Sequence, residues 1–193
     1  MTSDRGASQF EVVPLRTAAE SYDVAVVGGG LAGLTLAIQL KRQRPDTSVV
    51  VLEKREGPAP LAAFKVGEST VPAGAHYFAK VVGLETHLKQ RHLVKFGLRF
   101  FTPTADNGDL SERVEFGPVQ FPPQENFQLD RGLFENELAT RARGLGVDVL
   151  QGCRVGEFEL GTDEHTVNYT HAEAEMSARA RVAGSFSNSP RSS

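Results

Sequence analysis

Residues 22–37 read YDVAVVGGGLAGLTLA, and this stretch decides the fold of the chain. Residues 24–27 form an apolar run rich in β-branched side chains, which is typical of a parallel strand covered on both faces. The run stops at Gly28, and from about Leu31 the apolar residues have the spacing of a helix that Pro45 ends. The stretch therefore predicts a strand, a tight glycine turn and a helix.

A second apolar run, residues 48–52, follows this helix and predicts a second buried strand. A strand, a helix and a parallel strand within about 30 residues form a βαβ unit with a right-handed crossover. The sequence therefore predicts an α/β domain with a Rossmann-like fold.

Three glycines between the first strand and the helix match a nucleotide-binding pattern. Gly28, Gly30 and Gly33 stand in G-x-G-x-x-G register, where they permit a tight turn, close approach of a pyrophosphate and close helix packing, respectively. The helix N-terminus adds free N–H groups for phosphates. Glu53 ends the second strand, where an acid can accept hydrogen bonds from a ribose. A glycine turn that binds nothing is the alternative, and the spacing does not distinguish NAD from FAD.

Further elements are predicted along the chain. Pro72 begins a helix with Ser69 or Thr70 as its cap, Gly83 closes it, and a polar helix follows over residues 84–91. An alternating strand over residues 94–100, a hairpin over 94–116, a helix over 131–143 capped by Asp130, and strands over 147–150, 154–160 and 166–170 complete the prediction.

Composition excludes several classes of function. A net charge of -3 gives no general attraction to nucleic acid or to an acidic membrane surface, so a small-molecule partner is expected. Cys153 is the only cysteine, which excludes an internal disulfide and favours a small core residue in a reducing compartment. His87 and His92 are expected at the surface, and no metal site is predicted. Without a signal peptide or an apolar run of membrane length, the sequence predicts a cytoplasmic protein with no membrane partner.

Four segments taken together resemble the N-terminal part of FAD-dependent monooxygenases, and within them the flavin-dependent halogenases. The segments are YDVAVVGGGLAGLTLA, VVVLEK, KVGESTVP and QLDRGLFENELATRARGLGVDV. The resemblance implies an FAD cofactor whose ADP half is held by the three glycines and Glu53. Arg131, in the segment DRGLFE, would also contact the cofactor. An exposed first-turn arginine is the alternative for Arg131.

The loop GEST, residues 67–70, is typical of the halogenases. The resemblance implies that Gly67, Glu68 and Ser69 lie beside the flavin or the halide. A simpler role, in which Ser69 and Thr70 only cap the next helix, is compatible with this one because a helix N-terminus is also an anion site.

Two lysines are candidates for the catalytic residue of the halogenases. The resemblance implies that FADH2, O2 and halide yield a hypohalous acid, which a lysine presents to an electron-rich aromatic substrate, and that a separate flavin reductase supplies FADH2. Lys95 fits the family's segment of lysine, aliphatic, basic and aromatic residues, so it is preferred over Lys65. A solvent-facing strand lysine without a partner is the alternative for Lys95.

The resemblance also sets the expected domain limits. We expect a flexible lead-in over residues 1–20, a partial FAD/NAD(P)-binding domain over 21–171 and a disordered tail over 172–193. The tail differs from the family's returning strand, and the chain has no tryptophan for the later halogenase motif. A truncated product, with a fold incomplete at the C-terminus, is therefore expected. An aromatic hydroxylase fragment and a noncatalytic nucleotide-binding remnant remain as alternatives.

Overall fold

A computed structural model of the chain describes residues 21–62, 67–120, 123, 125–172 and 174–181. The predicted lead-in, residues 1–20, lies outside the described residues. None of the helices in the described part has the length and apolar character that crossing a membrane requires.

The described residues contain both helices and strands. In chain order they are β1 (Ser21–Tyr22), β2 (Val24–Val27), α1 (Leu31–Gln43), β3 (Val49–Glu53), α2 (Pro72–His76), a π-helical turn (Tyr77–Val81), α3 (Glu85–Arg91), β4 (Leu93–Lys95), β5 (Phe100–Phe101), a 3₁₀ turn (Leu110–Glu112), β6 (Glu115–Phe116), β7 (Asn126–Gln128), α4 (Arg131–Gly144), β8 (Asp148–Gln151), β9 (Cys153–Leu160), β10 (Glu164–His171) and β11 (Ala174–Arg181).

The predicted βαβ unit forms the first sheet, and the Rossmann-like α/β fold is confirmed. Strands β2, β3 and β8 lie side by side in this order and all run parallel. In the central strand β3 every residue is buried, as the continuous apolar run predicted. The glycine turn after β2 and Glu53 at the end of β3 therefore lie at the same edge of the sheet, because parallel neighbours share their carboxyl ends.

Strand alternation divides the core into two layers. Val49 and Val51 of β3 face the helices α1 and α4, where Phe134 and Leu138 are fully buried. Val50 and Leu52 face the opposite side and pack with residues of a second sheet. The parallel sheet is thus covered on both faces, with helices on one side and antiparallel strands on the other.

The second sheet has the strand order β1, β11, β10, β9. Its outer pair, β9 and β10, confirms the strands predicted on either side of the turn at residues 161–163. The expected disordered tail is wrong for residues 174–181, which form β11 and pair with β10 along its whole length. Ala178 and Ala180 lie on the same face of β11 and are buried, so this segment packs into the fold as well as pairing with β10. Residues 182–193 lie outside the described residues.

The predicted strand over residues 94–100 is also wrong. It divides into β4, which pairs with β7, and β5, which pairs with β6 in a short antiparallel hairpin. Gly97 separates the two pieces with a positive φ of 125°, a conformation that breaks a regular strand. The shared apolar face is correspondingly not buried, with Phe96 and Phe100 exposed by 62% and 63%.

Candidate functional site

The glycine turn has the geometry that its sequence predicts. Gly28 has a φ of 103°, which only glycine adopts without strain, and its N–H donates to the Leu52 carbonyl at 2.8 Å. A Cβ on Gly33 would lie 2.0 Å from the Gly28 carbonyl oxygen, so α1 and β2 approach closely because Gly33 has no side chain. A Cβ on Gly30 would meet nothing within 4 Å. The turn therefore presents open space in front of Gly30.

The first turn of α1 is a suitable place for an anion. Gly30 is its N-cap and provides no side-chain hydrogen bond, and the first turn contains no acidic residue. The N–H groups there have no intrahelical acceptor, and the helix dipole favours negative charge at this end. The structure thus fits a phosphate-bearing cofactor at this end of α1.

Glu53 connects the second strand to the glycine turn. Its carboxylate accepts the Gly29 N–H at 2.6 Å with Oε2 and the Arg55 N–H at 2.8 Å with Oε1. The residue is buried, although each carboxylate oxygen can accept a further bond. These acceptor sites fit the hydroxyl donors of a ribose, and the predicted ribose contact stays a prediction.

Arg131 belongs to a buried cluster with two other charged residues. Its Nη2 donates to Glu135 Oε1 at 2.7 Å, and the opposite oxygen of Glu135 lies 3.7 Å from Arg55 Nη1. Arg131 is 15% exposed at its side chain, so it is not the exposed first-turn arginine of the alternative interpretation. Two guanidinium groups thus lie beside the carboxylate of Glu135, which is 2% exposed.

Arg55 was not among the predicted site residues. Its Nε atom is buried and has no hydrogen-bond partner among the described residues, and a buried donor without an acceptor costs free energy. A bound anion would satisfy that donor. The sequence held a weak signal, since Arg55 follows Glu53 by two residues in VLEKREG, but the backbone turn that aims it at Glu135 has no sequence signature.

The predicted loop and the predicted lysine meet in the structure. Lys95 Nζ donates to Ser69 Oγ at 2.6 Å and to the Thr70 carbonyl at 2.7 Å. Lys95 is half-buried, so the alternative of a solvent-facing lysine without a partner is wrong. At the start of the same loop, a Cβ on Gly67 would lie 3.2 Å from Arg131 Nη1. Lys65, the second candidate, lies outside the described residues.

Neither Ser69 nor Thr70 caps α2, contrary to the simpler expectation. The N-cap is Val71, which makes no side-chain hydrogen bond. Thr70 is instead buried, where its Oγ1 accepts the Phe127 N–H at 2.8 Å and donates to the Phe127 carbonyl at 3.1 Å. Pairing with β7 therefore takes the place of capping.

His87 and His92 are not surface residues, which corrects the sequence prediction. Their rings lie 5.1 Å apart and 6.0 and 5.5 Å from the ring of Phe134, because α3 and β4 fold back onto α4. His92 Nδ1 accepts the Asp130 N–H at 3.2 Å. Burial, together with the neighbouring His87, lowers the pKa of His92 to about 4. This cluster supports the N-terminus of α4, where Arg131 begins.

The described residues hold no group of three or more histidine, cysteine, aspartate or glutamate side chains that could bind a metal ion. Cys153 is buried in the core, as predicted, and burial raises the pKa of its thiol.

A shallow cleft of about 470 Å³ begins one residue after Lys95, and its lining includes Phe96, Leu98 and Arg99.

Comparison with known proteins agrees with this geometry. A family model described as an NAD(P)-binding Rossmann-like domain matches residues 26–90. The flavin-dependent halogenase chlA of Dictyostelium discoideum is 33% identical over 123 residues, which are 61% of this chain and 20% of that protein. The chain resembles the N-terminal part of flavin-dependent halogenases. The resemblance that the sequence predicted is thus confirmed.

Two more comparisons extend the halogenase likeness. The 1H-pyrrole-2-carbonyl-[peptidyl-carrier protein] chlorinase of Pseudomonas fluorescens is 29% identical over 155 residues, 72% of this chain and 33% of that protein. The solved structure of the myxobacterial chondrochloren halogenase matches with a TM-score of 0.68 and 26% identity, over 84% of this chain and 36% of that one. The halogenase-like chain therefore spans between a fifth and about a third of these relatives, and the similarities support FAD as its cofactor.

Proposed function

We propose that the chain forms the FAD-binding part of an oxidoreductase that halogenates an electron-rich aromatic compound. The observation that carries this proposal is the contact of Lys95 with Ser69. It brings the lysine of the halogenase-like segment to the GEST loop, although the two residues are 26 positions apart in sequence. This contact is not expected between an ordinary connector loop and a surface lysine of unrelated role.

The cofactor would be held by the glycine turn, by Glu53 at the end of β3 and by the arginines beside Glu135. The first turn of α1, from Gly30, would bind the pyrophosphate through backbone N–H groups. Glu53 would accept a hydrogen bond from the adenosine ribose. Arg131 and Arg55, which both lie beside the carboxylate of Glu135, would neutralise negative charge on the cofactor.

Lys95 would act beside the GEST loop. Bound and reduced FAD would supply the electrons with which O2 is activated to oxidise the halide. The ammonium or amine of Lys95 would present the resulting electrophilic halogen to the aromatic ring. The backbone of Gly67, Glu68 and Ser69 would separate the lysine from Arg131 and line the flavin side of the loop. A flavin reductase, a halide and a small aromatic compound are the partners that this reaction requires.

Nucleotide binding is the first test of the proposal. Titration of the purified chain with FAD and with ADP, followed by calorimetry, should show binding that Gly30→Val abolishes, because the added side chain would fill the space in front of the turn. Gly144→Val is the matched control, since a Cβ there also meets nothing within 4 Å but lies at the far end of α4. Equal affinity in the chain and in Gly30→Val would reject the assignment of the site.

Halogenation is tested in a longer chain that carries this sequence in front of the remaining length of a halogenase relative. With a flavin reductase, chloride or bromide and an aromatic substrate, Lys95→Ala should stop product formation while FAD binding persists. Oxygenated product that forms without halide would favour the aromatic hydroxylase. Halogenated product from Lys95→Ala would show that another residue carries the halogen.

A further inference from the structure

Lys95 is held by two different kinds of acceptor. The Ser69 hydroxyl and the Thr70 carbonyl each take one hydrogen bond from its Nζ, at 2.6 and 2.7 Å. A carbonyl can only accept, whereas a hydroxyl can accept from an ammonium and can also donate to a neutral amine. The Thr70 carbonyl therefore only accepts from Lys95, whereas the Ser69 hydroxyl can accept from it and can also donate to the lone pair of the neutral amine.

Strand β7 fixes the distance between the lysine and the serine. On one side it pairs with β4, where Lys95 is opposite Asn126. On the other side it pairs with the loop, where Ser69 is opposite Gln128 and the Leu129 N–H donates to the Glu68 carbonyl at 2.7 Å. Both residues are thus attached to one short strand by backbone hydrogen bonds, and their separation does not depend on either side chain.

The buried Thr70 strengthens this arrangement. Its backbone N–H donates to the Phe127 carbonyl at 2.9 Å, and its side chain makes two more hydrogen bonds to the backbone of the same residue. Phe127 is itself 2% exposed. The loop backbone at the Ser69 position is therefore rigidly placed, while the Ser69 side chain remains exposed at the surface of the loop.

We propose that Ser69 is the positioning residue of Lys95, and that its hydroxyl orients the amine rather than binding the cofactor. A lysine side chain has four rotatable bonds, so an amine without fixed partners would populate many positions. The Ser69 hydroxyl selects one of them. This inference rests on the proposed function for its role in halogen transfer, whereas the orientation itself is a property of the chain alone.

The chemical reactivity of Lys95 tests the orientation without any cofactor or substrate. The purified chain is treated with limiting acetic acid N-hydroxysuccinimide ester, and acetylation of each lysine is followed by mass spectrometry of its peptide. Ser69→Ala should accelerate acetylation of Lys95 by roughly 3- to 10-fold, because one hydrogen bond to a charged group is lost. Ser69→Thr, which keeps a hydroxyl, should restore the slow rate. Lys80, which pairs with Glu85, is the internal reference and should not change.

A rate at Lys95 that is the same in Ser69→Ala as in the unaltered chain would overturn the proposal. So would a fast rate in Ser69→Thr in a sample that melts like the unaltered chain, because the hydroxyl would then not be the group responsible. If the longer chain halogenates, Ser69→Ala should lower kcat with little change in KM, and Ser69→Thr should restore kcat. Failure of halogenation in every form would reject the proposed function but would leave the acetylation result unaffected.

Discussion

Glu53 Oε2 accepts a hydrogen bond from the Gly29 N–H at 2.6 Å, so the end of β3 is tied directly to the glycine turn that follows β2. The two residues pack closely, since a Cβ on Gly29 would lie 2.7 Å from Glu53 Cβ. Position 29 therefore needs glycine because a larger residue would clash with the Glu53 side chain, although this position lies outside the three glycines of the nucleotide pattern. Contacts within the chain thus hold the shape of the turn.

Replacing Glu53 by glutamine tests this connection. The glutamine side chain has one acceptor oxygen where the carboxylate has two, so the Gly29 and Arg55 N–H groups can no longer both be bonded. We expect Glu53→Gln to lower the free energy of unfolding by about 1–3 kcal/mol and to weaken FAD binding. Urea unfolding and FAD titration measure the two effects. Exposed Glu56 supplies the control, and if Glu56→Gln causes the same losses the connection is not specific.

Gly33 provides a second test, of helix packing. An added methyl group would lie 2.0 Å from the Gly28 carbonyl oxygen and 3.0 Å from Val26 Cγ1, and neither neighbour can move without shifting β2. Gly33→Ala should therefore lower the free energy of unfolding by about 1–3 kcal/mol or more. A Cβ on Gly144, at the end of α4, would meet no atom within 4 Å. Gly144→Ala should therefore raise the free energy of unfolding by about 0.5–1 kcal/mol. The melting temperatures of the two variants should therefore change in opposite directions, with Gly33→Ala lower and Gly144→Ala higher than the unaltered chain.

The sequence predicted the parts of the fold that depend on short-range patterns. The apolar runs of β2 and β3, the glycine turn and the helix α4 were all placed correctly, because each is decided by periodicity, by a cap or by backbone conformations that glycine permits. The alternation around Phe96 predicted one continuous strand in error. Apolar alternation shows which side chains share a face but not whether another element covers it, and Gly97 interrupts the strand.

The site was predictable only where a motif carries it. Gly28, Gly30, Gly33 and Glu53 were predicted as site residues from their spacing, and Lys95 from a resemblance. The pairing of Ser69 with Lys95 and the burial of His92 arise from contacts between segments far apart in sequence, which depend on how β4 and β7 pair. No local pattern encodes that register, so these contacts required the structure.

The buried histidine pair predicts a pH dependence of stability. Burial lowers the pKa of His92 to about 4, below its ordinary value of 6.5, so between these values the unfolded chain binds a proton that the folded chain does not. The contribution of His92 to the free energy of unfolding is therefore fully present above about pH 6.5 and is lost as the pH drops toward 4. The loss from His92 should be on the order of 2–3 kcal/mol. Asp130, which faces His92, and Glu137, which faces His87, oppose the effect by favouring the imidazolium forms.

His92→Asn isolates this contribution, because the asparagine oxygen can accept the Asp130 N–H in place of Nδ1 but cannot be protonated. Urea unfolding at pH 7 and at pH 4.5 measures the difference for the unaltered chain and for the variant. The variant should lose less stability on acidification. An equal loss in both would show that His92 does not titrate within this range and that other groups cause the acid sensitivity.

Arg55 is predicted to contribute to cofactor affinity rather than to folding. Its Nε is buried without a hydrogen-bond partner among the described residues, and its Nη1 is 3.7 Å from Glu135, which Arg131 already bonds at 2.7 Å. Arg55→Met keeps most of the apolar stem and removes the charge, so the melting temperature should change little. FAD affinity should fall about 10-fold, as expected when one charge-assisted hydrogen bond is lost. Lys54→Met, at the exposed neighbouring position, should leave the affinity unchanged. If Arg55→Met binds FAD as tightly as the unaltered chain, the buried guanidinium belongs only to the Glu135 ion pair.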